Sequence, residues 1–201
     1  MVELDSFQKD ALKEIGSMGA GKASAALSDL VKRKVSLTTP EISLAKTSEI
    51  AGLIGGSQQL VVGSYSALEG DVSGRILLAS PTKSAMYLVD LEAGKELGTT
   101  TNVDEAASEK LKIIGDTVSK CYLESLTEFL QMNVTRSPER IVSTFGESLA
   151  DLILLGIEEE YALFVNTNFT IPDTEIQGKF IMLIAIDSID KMIEAIKKQL
   201  G

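Results

Sequence analysis

The sequence predicts an α+β fold in which two repeated halves share one continuous antiparallel β-sheet and pack two long helices on it. Three observations predict it. A helical stretch occurs twice: Ala11–Leu27 reads ALKEIGSMGAGKASAAL and Lys110–Leu126 reads KLKIIGDTVSKCYLESL, so Leu12-Lys13-x-Ile15-Gly16 returns as Leu111-Lys112-x-Ile114-Gly115. A later stretch is matched as well: Val72-Ser73-Gly74-Arg75-Ile76-Leu77-Leu78 against Ile176-Gln177-Gly178-Lys179-Phe180-Ile181-Met182. Finally, strand candidates come as adjacent pairs joined by short turns, rather than alternating singly with helices. The expectation is a tandem duplication within one domain, with halves of about 1–98 and 99–201. A pseudo-twofold axis would relate the two long helices.

In chain order, residues 5–33 read as one long helix. At 100° steps Leu12, Ile15, Gly19, Ala23, Ala26, Leu27 and Leu30 share one broad face. The small residues among them allow a second backbone to come close. Short strands are expected at Val35–Thr38 and Ile42–Ala45, then a longer pair, Leu60–Tyr65 and Val72–Ala79, around a turn at Glu69-Gly70-Asp71. Ser80-Pro81-Thr82 reads as a helix start, with Ser80 as N-cap, for a helix to about Leu91. Residues 92–102 are a polar connector, and a second long helix follows from about Asp104 to Leu130. Ser137-Pro138-Glu139 is read as the start of a helix reaching Leu155, because Ile141, Phe145, Leu149 and Leu152 recur at near-helical spacing. Strands at Tyr161–Thr170 and Glu175–Ile186 and a helix at Ser188–Leu200 complete the chain.

Composition narrows the chemistry. An apolar share of 44% over 201 residues supplies a sizeable core. A net charge of −10 opposes binding to nucleic-acid phosphates or anionic lipid. The one basic run, Lys32-Arg33-Lys34, falls at a helix end, where it suits the dipole. The absence of histidine removes Ser-His and Cys-His nucleophile pairs and imidazole metal sites. The single cysteine, Cys121, forms no internal disulfide and reads as a core or boundary residue. No phosphate-binding loop or dinucleotide fingerprint is present, and Gly16-x-x-Gly19-x-Gly21 lies inside a helical pattern. Spaced charges at the start of the chain do not resemble a secretory leader, and no window is apolar enough to span a membrane, so the cytoplasm is the expected compartment.

Opposite the apolar face of the first helix lie Asp10, Glu14, Ser17 and Gly21, within about 60° of one another. Two readings stand side by side. Acidic residues near a helix N-terminus can simply favour the dipole and sit in solvent. Carboxylates and a hydroxyl at this spacing can also reach one bound molecule together.

These residues carry a resemblance. Asp10-x-x-x-Glu14-x-x-Ser17 followed by 22 residues and Pro40 resembles the signature of the CheC family of chemotaxis proteins, which includes CheX and the phosphatase-like part of FliY. That signature runs acid or Ser, three residues, Glu, two residues, Asn, 22 residues, Pro. The flanking Glu14-Ile15-Gly16-Ser17-Met18-Gly19-Ala20-Gly21-Lys22-Ala23 is also similar to it. The resemblance extends along the chain, since the family is itself a tandem duplication with this order of elements.

The resemblance implies a protein that binds the phosphorylated response regulator CheY and promotes hydrolysis of its aspartyl phosphate. It implies Glu14 paired with a lysine of the regulator, Ser17 at the position of the water-holding Asn, and Asp10 and Pro40 in partner contact. No cofactor of its own is implied, because the regulator supplies Mg²⁺. In the second half Glu109, Ile113 and Asp116 stand at the acid, Glu and Asn positions, and Pro138 comes one residue early. Isoleucine pairs with no lysine, and a carboxylate at 116 faces phosphoryl oxygens with like charge, so this second site is expected to be inactive. The resemblance also implies a second partner, CheD, bound through a helix after the second proline, with Ser143 at the aligned position and Asp151 further on. The alternative is a non-catalytic binding or scaffold module, as in FliM-type relatives. A CheY or CheD partner would dock on it without chemistry.

Overall fold

The structure is a computed structural model that describes residues 4–50, 52, 58–155, 157 and 160–200. The elements are α1 (Ser6–Val31), β1 (Ser36–Leu37), β2 (Glu41–Lys46), a 3-10 turn (Thr47–Glu49), β3 (Leu60–Gly70), β4 (Gly74–Pro81) and α2 (Thr82–Glu92). They continue with α3 (Glu105–Leu130), β5 (Val134–Arg136), β6 (Arg140–Phe145), α4 (Gly146–Leu154), β7 (Tyr161–Thr170), β8 (Gln177–Ala185) and α5 (Ile186–Leu200). The mixed helix-and-strand class and the shared antiparallel sheet expected from the sequence are both present.

The sheet has eight strands in the order β1-β7-β8-β4-β3-β5, with β2 also on β7 and β6 also on β3. β4 and β8 meet at the centre, with Leu77 opposite Ile181, Ile76 opposite Met182 and Leu78 opposite Phe180. Leu77 and Ile181 are the positions that the two matched stretches align, and an axis between β4 and β8 would bring just such equivalents face to face. The outer strands change sides: β1 and β2, which follow α1, pair with β7, while β5 and β6, which follow α3, pair with β3. Each stretch of about a hundred residues therefore completes the sheet of the other. A chain of residues 1–98 alone is expected to show no cooperative thermal transition by circular dichroism, and mixing it with 99–201 to restore one. A cooperative melt of the isolated half would contradict this exchange.

Alternation along the strands splits the core between the two faces. On one face Ile76, Leu78, Leu163, Val165, Phe180, Met182 and Ile184 pack against α1, α3 and α5. On the other, Leu77, Ala79, Phe164, Ile181 and Leu183 pack with Leu149, Ala150 and Ile153 of α4. α1 and α3 cross closely because Gly19 carries no side chain: a Cβ there would lie 2.8 Å from Cδ1 of Tyr122. Tyr122 in turn stacks on Phe180, with ring centroids 3.9 Å apart, and donates its hydroxyl to Thr167 at 3.1 Å. Burial pushes that phenol well above the usual tyrosine range.

Two expectations need correction. Residues 137–145 are not helical: they form the end of the β5–β6 turn and β6, and the helix begins only at Gly146. Ile141-Val142-Ser143-Thr144-Phe145 is rich in β-branched residues, and pairing with Leu60–Tyr65 of β3 outweighs the helical spacing. Ser80 is not an N-cap. It is a buried residue of β4, and Pro81 occupies the cap position without a side-chain bond. The polar connector after α2 is present as expected, and a residue of α2 anchors it. Asp90 is fully buried, and its carboxylate accepts the N–H groups of Gly98 at 2.8 Å, Thr99 at 3.0 Å and Thr100 at 2.9 Å. These bonds satisfy the buried carboxylate and fix the path from α2 to α3.

Candidate functional site on the outer face of the first long helix

α1 begins at a capping box. Asp5 Oδ1 accepts the Gln8 N–H at 2.8 Å, and Gln8 Oε1 accepts the Asp5 N–H at 2.9 Å. The cap places Asp10 beyond the first turn and Glu14 a full turn further. The dipole effect fades within that first turn, which holds no acidic residue, so it does not account for these carboxylates. Both are exposed. Neither makes an ion pair with any described residue.

Ser17 is half-buried, and its hydroxyl donates to the carbonyl of Lys13 at 2.7 Å. Its one proton is thereby used within the helix, leaving lone pairs to accept from a water. Pro40 is buried rather than available to a partner. It lies against Gly16, where a Cβ would come within 3.1 Å of its Cγ. Pro40 thus seats the turn between β1 and β2 on the flank of α1, next to Ser17, and acts as a packing residue.

The corresponding face of α3 differs in charge state. Glu109 is bound by Lys112 at 2.5 Å. Ile113 is exposed. Asp116 is paired with the Arg136 guanidinium, which also reaches Glu139 at 3.3 Å. Glu139 is buried and accepts the hydroxyls of Ser64 at 2.7 Å and Ser66 at 3.3 Å. It sits against Gly115 as Pro40 sits against Gly16. A charged cluster thus occupies the place of a proline, and Pro138, one residue early, is exposed. Sequence patterning does not single out Arg136 or Glu139, whose only trace is an Arg-x-x-Glu spacing around Ser137-Pro138.

Ser143 is exposed on β6, opposite Val62 of β3, and not on a helix. Asp151 is exposed on α4, on the side of the helix away from the buried Leu149, Ala150 and Ile153. Cys121 is half-buried, and its thiol is pushed up by burial and by Glu124, which disfavours the thiolate. Among the described residues no three or more acidic or cysteine side chains converge on a common point, and no helix is long and apolar enough to cross a membrane.

The CheC-like family model matches residues 7–44, the span from the start of α1 through Pro40 into β2. Over 199 residues the chain is 26% identical to the CheY-P phosphatase CheC of Bacillus subtilis, covering 94% of this chain and 93% of that protein. The crystal structure of Thermotoga maritima FliY superposes with a TM-score of 0.79 at 20% identity, over 98% of this chain and all of that one. CheX in its complex with CheY, BeF3 and Mg²⁺ from Borrelia burgdorferi superposes with a TM-score of 0.53 at 17% identity, over 84% of this chain and 95% of that one.

Proposed function

We infer that this chain, which belongs to the CheC-like family, binds phosphorylated CheY through the outer face of α1 and promotes hydrolysis of its aspartyl phosphate. The observation that carries the reading is the outward row Asp10–Glu14–Ser17, at the family's spacing to Pro40, in a chain similar to a CheY-P phosphatase over nearly its whole length. The relative crystallised with CheY, BeF3 and Mg²⁺ supports CheY as the partner.

In this reading water attacks the phosphorus of the aspartyl phosphate in line with the departing carboxylate, giving aspartate and inorganic phosphate. The proton lost by the water ends on the phosphate product. Glu14 meets a cation on CheY and fixes the helix over the phosphoryl group. Ser17 accepts a hydrogen bond from the attacking water and holds it in place. The chain brings no cofactor; Mg²⁺ belongs to CheY and neutralises the phosphoryl oxygens. The gain comes from positioning and electrostatics rather than a covalent intermediate. The α3 face is inactive: Ile113 offers no charge, and Asp116 is committed to Arg136.

The same reading makes the protein one domain of two repeats, about 1–98 and 99–201, working in the cytoplasm where CheY is phosphorylated. A CheD partner would meet the second half on α4, at Asp151, rather than at Ser143. The test is the decay of phosphorylated CheY from the same organism in Mg²⁺, with and without the protein. Faster decay at substoichiometric protein is expected. Unchanged decay at equimolar protein would leave a docking module without chemistry.

A further inference from the structure

Two large apolar side chains on α1 face solvent: Phe7 is 50% exposed and Met18 44%. Neither is needed by the helix. The cap is made by Asp5 and Gln8, the neighbouring Leu4 is buried in the core, and neither Phe7 nor Met18 belongs to it. At 100° per residue, Phe7, Asp10, Glu14 and Met18 fall within about 80° of one another. They form one ridge, ~16 Å long, with an apolar residue at each end and a carboxylate on each of the two turns between.

The matching ridge on α3 is Ala106, Glu109, Ile113 and Thr117. It has no large end residue, its carboxylate is paired with Lys112, and its apolar residue is in the middle. Thus on α1 two bulky exposed side chains flank two unpaired carboxylates, whereas the α3 ridge carries one exposed bulky residue, Ile113, at its centre and its carboxylate is paired.

We propose that Phe7 and Met18 are the apolar anchors by which α1 docks on phosphorylated CheY, closing water out from both ends of the Asp10–Glu14 row. The proposal rests on the function inferred above. Apolar groups that exclude water from a central charged contact lower the dielectric around it and make that contact stronger. The occupant follows from charge. A phosphorylated aspartate with bound Mg²⁺ needs cationic groups around it, and these suit two free carboxylates. A second copy of this chain would bring the same carboxylates face to face between partners of net charge −10 each, which opposes association.

The test measures binding to CheY carrying BeF3 and Mg²⁺ by titration calorimetry, with sedimentation of the protein alone. Phe7→Ser and Met18→Ser are each expected to weaken binding roughly tenfold or more, with Phe7→Leu restoring most of it. The control Leu97→Ser, at an exposed residue of the connector, should bind as wild type. In the decay assay the two Ser variants should raise KM and leave kcat unchanged, as loss of uniform binding requires. Wild-type binding matched by both Ser variants would overturn the anchors while sparing the inferred function. Loss of a dimer in sedimentation with CheY affinity intact would assign the ridge to self-association instead. A wild-type protein that does not bind CheY at all would remove the reading on which the anchors rest.

Discussion

Glu14→Ala is expected to slow the protein-dependent decay of phosphorylated CheY by about a hundredfold, the cost of removing one preorganised charged contact at a reacting phosphoryl group. The folded protein should not notice the change. Glu14 is exposed in the middle of α1 and makes no ion pair with any described residue, and alanine is the strongest helix former. Unchanged circular-dichroism melting together with lost activity separates a role at the interface from a role in the fold. Glu14→Gln refines the point. It keeps length and hydrogen-bonding capacity but not charge, so activity close to that of Glu14→Ala would identify the charge as the working part. Full activity in Glu14→Ala would place the chemistry elsewhere on the chain.

Ser17→Asn is expected to act in the opposite direction, raising the rate by about tenfold in the same assay. The serine hydroxyl spends its proton on the Lys13 carbonyl, so it meets water only as an acceptor. A carboxamide reaches further from the helix and offers two donors and an acceptor, enough to hold a water by more than one bond. Its cost to the helix is small, since Ser and Asn have similar propensities. Ser17→Ala completes the series and should fall below wild type. A rate unchanged by Ser17→Asn, with CheY binding retained, would mean that residue 17 does not lie beside the attacking water.

The parts of this protein that depend on one segment were legible in its sequence. Asp10, Glu14 and Ser17 share a face because a helix repeats every 3.6 residues, and α1 is a helix from Ser6 to Val31. The hairpins β3–β4 and β7–β8 declare themselves by short turns between apolar runs. What the sequence withheld depends on partners far along the chain. β6 carries a helix-like spacing in the sequence, but its pairing with β3 joins residues some 80 apart, which spacing within Ile141–Phe145 cannot report. The exchange of outer strands, β2 to β7 and β6 to β3, is hidden for the same reason. At the site, the composition of the α3 face was readable but its charge state was not. Asp116 is neutralised by an arginine twenty residues away on β5, and Glu139 fills a position that alignment assigned to proline. The α1 carboxylates acquire no such partner among the described residues, which is why two faces with a similar residue pattern differ in what they offer.

The central claim is that the chemistry belongs to α1 alone. It is tested most directly by following the decay of phosphorylated CheY in Mg²⁺ with four proteins side by side. These are wild type, Glu14→Ala with Ser17→Ala, Glu109→Ala with Asp116→Ala, and all four substitutions together. Acceleration is expected to be lost with the α1 pair, retained with the α3 pair, and no lower in the quadruple variant than in the α1 pair. Acceleration that survives the α1 pair and disappears with the α3 pair would contradict it.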